Sequence, residues 1–451
     1  MTLTYDFFHF ILMITTGSFS NLDAKVILLT LLLSISSCWV YIFANSVKSY
    51  TIFIAADSIK QKTLANDDDN NNNYNNQEAL PFVSIIVPAR NEQDNIERCL
   101  VSLMKQSYPT TNVEIIVVDD NSTDNTLIRM KKVQQKYPRL KIIELKDKPD
   151  DWTGKTWASE KGYLESRYGI LLFVDADCYY EKNCLLSAIS YMLEEEIDVI
   201  TGFPFIELRD FWSKISMPLW KFMSITFGKN ASNVNDPKSK VAYLMGCFFM
   251  IKRNVFENVG TFRSVRNAIQ EDEALGIRIK QSGYKLRLVQ MNNLIHALWS
   301  RDLSTLWHGI GRTIDPMILK EKRNVIINFF AIFFMITLPF VILLPYTIIA
   351  LFYNIDITNN NDFYYYCGIL ILNLIIFFMA IIGIILKSIE TYKISPLYML
   401  LYPLGSNFLV IAYLANIIPL LLLSIGKNSS KKTIEWKGRI YTYKKIGGSM
   451  V

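Results

Sequence analysis

A parallel α/β sheet attached to transmembrane helices is the fold class this sequence predicts. Three observations carry it. Of 451 residues, 51% are apolar, enough for a sizeable core and too many for a disordered chain. Those residues cluster into long uncharged stretches near the two ends, each at or beyond the ~20 residues that cross a bilayer. Between Pro81 and about Lys320 the pattern changes to short apolar runs alternating with amphipathic segments. Continuous apolar strands alternating with helices mark a parallel sheet covered on both faces.

The elements follow in chain order. Val26–Val47 carries no charge and lacks the small-residue cleavage pattern of a signal peptide, so residues 1–55 are expected to hold a retained N-terminal anchor. The shorter run Phe7–Thr16 reads as interfacial or luminal. Residues 56–80 form a linker, because Asp67-Asp68-Asp69 followed by an Asn run through Asn76 has no apolar surface to bury. The segment 81–323 then reads as the soluble domain. Phe82–Pro88 is a buried strand, and Asn95–Gln106 a helix with Ile96, Leu100 and Leu103 on one face. Val113–Asp119 is a second strand, Asp124–Lys136 a helix, and Leu140–Leu145 a third strand. Trp157–Tyr168 is a helix and Ile170–Val174 a fourth strand. In such sheets ligands bind beyond the carboxyl ends of the strands, which is where the polar clusters of this chain fall.

The region 324–426 holds three further uncharged stretches, Asn324–Ile355, Phe363–Leu386 and Ile394–Gly426. Prolines in the first and third, and the run Pro403-Leu404-Gly405-Ser406-Asn407, predict kinks or re-entrant turns. Lys320, Lys322 and Arg323 before the first stretch, with Lys387 and Lys393 after the second, put the domain 81–323 in the cytoplasm. The tail 427–451 is basic as well and is expected on the same side. Three simple crossings would place it opposite, so Ile394–Gly426 is expected to enter and return, or to cross twice as a hairpin.

Charge sharpens the function classes. The chain has 47 Lys and Arg against 41 Asp and Glu, a net +6. The tail alone holds seven basic residues and Glu435, so the rest is neutral. An excess confined to a tail argues against a nucleic-acid-binding face and for anchoring at a membrane surface. The six cysteines form no C-x-x-C pair, so neither a disulfide framework nor a zinc site is implied. Three histidines, far apart, argue against a His-based metal site.

The chemistry sits at the strand ends. Pro88-Ala89-Arg90-Asn91-Glu92 after the first strand serves either to contact a base or ribose or to cap a helix. Asp119-Asp120 after the second are adjacent carboxylates that repel unless a cation or ligand hydroxyls compensate. Ser122, Thr123 or Asp124 can equally cap the next helix. Asp175-Ala176-Asp177 after the fourth strand is either a solvated loop or a pair aimed at a hard divalent ion such as Mg2+ or Mn2+. Gly154-Lys155 near a helix start can neutralise a diphosphate or be a surface lysine. In Gln270–Arg278, three consecutive acids either line a solvated first turn or supply a general base.

In this order the pieces VSIIVPARNE, IIVVDDNSTDNT, FVDADCYY, GCFFMIKRNVFENVGTF and EDEALGIRIKQSGYKL resemble family 2 glycosyltransferases, over roughly residues 81–315. The closer resemblance is to membrane-anchored lipid glycosyltransferases of the ceramide glucosyltransferase, hopanoid-associated and carotenoid type. Trp436-Lys437-Gly438-Arg439-Ile440-Tyr441 also resembles the ending of the latter two branches, though it equally fits a basic, aromatic-flanked surface segment.

The resemblance implies the GT-A fold, a mixed, mainly parallel sheet flanked by helices. It implies that Asp119 and Asp120 contact the nucleotide of a nucleotide-sugar donor, with Ala89, Asn91 and Glu92 lining base and ribose. Asp177 with Asp175 would hold the metal on the diphosphate, Lys155 would lie near the donor, and Asp272 would be the general base of an inverting transfer. Many relatives carry Q-x-x-R-W further on. Here the stretch Trp307–Thr313 keeps only Arg312, which can still bind a diphosphate bidentately.

Two aromatic and basic segments, Arg209–Phe227 and Trp299–Ile314, fit either a membrane interface or ordinary core. At an interface they would admit a membrane lipid acceptor. A polyprenyl-phosphate sugar synthase, a polysaccharide synthase and a non-catalytic nucleotide-sugar-binding scaffold are the alternatives.

Overall fold

A computed structural model describes residues 26–27, 29–41, 80–226, 231–268, 270–353, 360–425, 432–443, 445–446 and 449–450. The linker up to residue 79 and the run Phe7–Thr16 lie outside them. The N-terminal apolar stretch forms helix α1 (Leu29–Tyr41). Thr30, Ser34 and Ser37 each donate their hydroxyl to the carbonyl four residues back, so these three polar groups are satisfied within the helix.

The domain begins with β1 (Val83–Ala89), α2 (Ile96–Met104), β2 (Val113–Asp120), α3 (Thr126–Lys136) and β3 (Leu140–Leu145). It continues through α4 (Gly154–Leu164), β4 (Ile170–Phe173), β5 (Cys178–Tyr180), α5 (Cys184–Glu194), β6 (Val199–Phe203) and β7 (Phe205–Leu208). Then come α6 (Phe211–Thr226), α7 (Ala231–Asn235), β8 (Phe249–Lys252), α8 (Arg253–Asn258), α9 (Glu271–Gln281), β9 (Leu286–Gln290) and β10 (Ile295–Ser300).

Seven strands form one sheet in the order β3-β2-β1-β4-β8-β6-β9. It is mixed and mainly parallel, as the resemblance implies, with β8 antiparallel to both neighbours. The central strands are buried on both faces along most of their length, which is why Val and Ile dominate their sequences. Edge strand β3 is mostly part-exposed and carries Lys141 and Glu144, charges that discourage pairing with another chain. In register, Ala89 pairs with Asp119, and β4 ends two residues before Asp175. The polar clusters therefore leave the sheet side by side at one edge. A second sheet, β5-β10-β7, stands beyond that edge.

One helix starts earlier than periodicity predicts. Thr153 caps α4 by accepting from Thr156 N–H at 3.3 Å, so the helix opens at Gly154 rather than Trp157 and ends at Leu164 rather than Tyr168. Gly154 and Lys155 thus lie in its first turn.

C-terminal to the domain run α10 (Leu303–Ile332), a π-helical continuation Phe333–Leu343, α11 (Leu344–Tyr353), α12 (Asn360–Tyr392) and α13 (Tyr402–Ile425). Two stretches here, Tyr364–Ile385 and Pro396–Pro419, are long and apolar enough to cross a membrane. Ile35 and Trp39 of α1, Met217 and Leu219 of α6, Ile310 of α10, Ile376 of α12 and Leu409 of α13 share one apolar core.

The expectation that Ile394–Gly426 folds back as a re-entrant turn or hairpin is corrected. After a 3-10 turn at Pro396–Leu401 the chain is one helix. Pro403 stands in its first turn, where the missing N–H is harmless. Gly405 lies against α6, where a Cβ would stand 2.1 Å from the Ile215 carbonyl oxygen. The apparent break is therefore a helix start at a close crossing. Both flanks of α13 nevertheless touch the soluble domain. The Lys393 ammonium lies 5.3 Å from the Phe205 ring centre, and Lys437 reaches Glu92. The tail segment 432–443 forms β11 (Lys432–Trp436) and β12 (Arg439–Tyr443), an antiparallel hairpin.

Candidate active site

The turns after β1 and β2 are built on asparagines. Asn91 and Asn121 adopt φ of 51° and 55°, which Asn tolerates better than most side chains. Asn91 Oδ1 accepts from Thr123 N–H at 2.9 Å and Asn91 N–H donates to Ser122 Oγ at 3.1 Å, so the two turns are laced together. The helix-capping duty falls to Asp124, which accepts from Thr126 N–H at 2.9 Å and Gln93 N–H at 3.2 Å. Burial opposes its charge, but these hydrogen bonds outweigh it and hold the carboxyl below its ordinary range. Asp119 and Asp120 are thereby left for other work.

Beyond the strand ends opens a cleft of about 420 Å³. Ala89, Glu92, Asp120, Lys155, Asp175, Asp177 and Asp272 all line it. Asp119 is buried behind it, accepting from Ser122 N–H at 3.2 Å. Asn91 is not among the residues that line the cleft. Arg312 lies on α10; its side chain is outside the described residues, while its neighbour Thr313 lines the cleft.

Lys155 is not a surface lysine. Its Nζ lies 2.7 Å from Asp175 Oδ1 and 2.9 Å from Glu271 Oε1, tying the end of β4 to the start of α9. Burial alone would depress this ammonium, but Asp175, Glu271 and Asp272 together push it well above its ordinary value. Gly246 leaves room for the pair, since a Cβ there would meet Lys155 Nζ at 2.7 Å and Asp175 Oδ2 at 3.0 Å.

Two carboxylates are held in the opposite sense. Desolvation, then the neighbouring Asp175 and Glu92, push Asp177 up to about 7, with Lys437 offsetting part. Desolvation, then Glu271, push Asp272 up to about 7 against the pull of Lys155. The Asp272 carbonyl accepts from Leu244 N–H at 3.2 Å, and Leu275 and Ile279 are fully buried, so α9 is fixed against the domain core.

Among the described residues no group of three or more His, Cys, Asp or Glu side chains encloses an ion position. Asp175 and Asp177 still fit a hard divalent cation. Such ions take one or two carboxylates and complete their shell from phosphate oxygens and water. The half-buried Asp177, crowded by carboxylates, is the kind of group a cation stabilises.

Residues 84–260 match the family Glycosyl transferase family 2. They form a family 2 glycosyltransferase domain. The chain is 30% identical to the probable glycosyltransferase YdaM of Bacillus subtilis over 216 residues, 47% of this chain and 50% of that one. It is 33% identical to glycosyltransferase AglE of Haloferax volcanii over 27% of this chain and 39% of that one. It is 26% identical to 4,4'-diaponeurosporenoate glycosyltransferase of Staphylococcus aureus over 43% of this chain and 50% of that one. The chain thus spans about half the length, or less, of these curated relatives. Among solved structures, a mannosyltransferase of Pyrobaculum calidifontis in complex with GDP-Man and Mn2+ aligns over 86% of this chain and 99% of that one, at 13% identity and a TM-score of 0.47.

The family 2 domain receives side chains that motif reading did not assign to it. Arg439 of the tail donates to Asp120 Oδ2, and at 3.4 Å to the Asp120 carbonyl. Lys437 Nζ lies 2.7 Å from Glu92 Oε1. Arg90 Nη1 donates to the Asp120 carbonyl at 2.6 Å, and Glu271 holds Lys155. The only sequence signal for the tail pair was the W-K-G-R run itself.

Proposed function

We propose that this protein is a membrane-bound, inverting glycosyltransferase that moves a sugar from a nucleotide sugar to the hydroxyl of a membrane lipid. One observation carries the donor side. Asp119 Oδ1 and Asp120 Oδ1 are buried without a hydrogen-bond partner among the described residues, Asp120 on the wall of the cleft that Asp272 also lines and Asp119 behind it. A buried, unsatisfied carboxylate oxygen is costly, and the hydroxyls and N–H groups of a nucleoside are the donors that would satisfy it. Asp175 and Asp177 would hold a divalent cation, which supplies charge neutralisation for the departing nucleoside diphosphate.

Asp272 takes the acceptor's proton as the hydroxyl oxygen attacks the anomeric carbon from the face opposite the leaving diphosphate. A base poised near the working pH suits that task. Lys155 orients Asp175 and Glu271 around it.

The lipid side rests on the cleft's surroundings. Trp299 and Thr313 line it on the side of α10. Trp307 of α10 and Trp212 of α6 both pack on Phe408 of α13, with ring centres 5.8 and 5.4 Å apart. The site therefore opens beside an apolar bundle, the direction from which a lipid hydroxyl would arrive. To test this, membranes carrying the protein are incubated with radiolabelled UDP-, GDP- and dTDP-sugars and the lipids extracted. Label enters the lipid fraction with one donor class, is lost with chelator and returns with Mg2+ or Mn2+. Lipid free of label with every donor would contradict the proposal.

A further inference from the structure

We propose that the tip of the C-terminal hairpin is a phosphate clasp: Lys437 and Arg439 leave Glu92 and Asp120 and take the donor's diphosphate when it binds. This rests on the nucleotide-sugar reading above and adds to it two binding residues from outside the family 2 domain.

The tip is built and docked. Trp436 pairs with Arg439, leaving Lys437-Gly438 as a two-residue turn with φ of 50° and 74°. Positive φ at both central positions is the type I′ geometry that matches strand twist, and Gly438 meets it without strain. The Lys437 carbonyl accepts from Arg90 Nε at 3.0 Å and Asn91 Nδ2 at 3.3 Å, seating the turn on the loop after β1. Lys437 then lines the cleft, and Arg439 meets Asp120 at its wall. Lys437 Nζ also donates to the Asn91 carbonyl at 3.3 Å. The Arg439–Asp120 pair is largely shielded, its side chains 17% and 5% exposed.

Charge says why the cleft needs them. Six carboxylates line it, Glu92, Asp120, Asp175, Asp177, Glu271 and Asp272, against three cations, Arg90, Lys155 and Lys437. Arg90 is engaged by main-chain carbonyls of Asp120 and Asn121, and Lys155 by two carboxylates. A diphosphate entering this excess of negative charge is repelled unless cations turn to it. The tip pair is the one placed to turn. Arg439 holds only one oxygen of Asp120, and the other waits for a donor group. If a nucleoside hydroxyl satisfies Asp120, the guanidinium passes to phosphate, which it binds bidentately. Each cation exchanges one anionic partner for another, while Asp120 gains the nucleoside hydroxyl and Glu92 keeps the Asn95 Nδ2 donor at 2.8 Å.

The test is equilibrium binding of UDP, GDP, dTDP and CDP, and of the matching nucleosides, to the full-length protein in detergent with Mg2+ present. For the diphosphate that binds, Lys437→Ala and Arg439→Ala each weaken affinity about ten-fold, the scale of a lost charged hydrogen bond. Nucleoside affinity is unchanged, which also reports an intact site. Arg439→Lys falls between, and Lys431→Ala, elsewhere in the tail, matches wild type. Diphosphate binding equal to or tighter than wild type in the tip variants would overturn the clasp, tighter binding marking a plug instead. Equal loss of nucleoside and diphosphate would overturn it in favour of structural support. Wild-type protein that binds none of the four diphosphates would sink the donor reading and the clasp with it.

Discussion

Asp272 and Asp177 are both carboxylates that the fold makes reluctant to ionise, yet both are proposed to work ionised. Desolvation and a neighbouring acid hold each up to about 7. Protonation removes the base, so kcat/KM rises as pH increases through about 7 and levels off above. An ordinary aspartate, ionised at all pH above about 5, would give a flat profile there. A bound cation lowers Asp177, leaving Asp272 to set the limb. Measuring kcat/KM from about pH 5.5 to 8.5 decides this, and a flat profile would contradict the Asp272 assignment. At this scale the sequence was informative where chemistry is local. Asp119-Asp120 and Asp175-Ala176-Asp177 each follow a run of buried residues, so strand periodicity alone put them at a sheet edge. It was mute on partnership. Nothing in Gly154-Lys155 says that its ammonium is spent on Asp175 and Glu271, because those carboxylates arrive from β4 and α9.

The element that aims the proposed base is α9, and its seat is a glycine. A Cβ on Gly276 would stand 2.9 Å from Tyr243 Cα and 3.1 Å from Tyr243 N and C. Main chain cannot rotate aside as a side-chain tip can, so Gly276→Ala must lift the helix. A displacement of ~1 Å can cost ~100-fold in rate, with ~1–3 kcal/mol of stability lost to overpacking. The expected result is a kcat at least about ten-fold lower, with a reduced thermal midpoint. Gly169→Ala, with nothing within 4 Å of its Cβ, should change neither. An unchanged kcat in Gly276→Ala would show that α9 does not set the reacting geometry. Helix α9 itself was legible, since Leu275 and Ile279 fall on one face, but its close approach to Tyr243 was not. Helix α4 was misplaced by three residues because the apolar pattern starts at Trp157 while the cap is Thr153.

Across the whole molecule, the C-terminal tail folds back onto the strand ends of the domain. The uncharged stretches were visible as such, but the path of α13 was not. Pro403 and Gly405 read as a break in isolation, whereas against α6 they are a helix start and a close crossing. The tail's net charge invited a membrane-surface role, yet Lys437 and Arg439 point into the domain, more than 300 positions from the residues they meet. No local pattern encodes a contact of that span. The central claim is that the converging carboxylates form one site in which Asp272 removes the acceptor's proton. Its most direct test is Asp272→Asn in purified protein, with donor binding and sugar transfer measured side by side. Donor affinity should stay within about two-fold of wild type while transfer falls ~10²–10⁴-fold. Transfer at the wild-type rate would contradict the account and point to an acceptor, such as a phosphate, that needs no base.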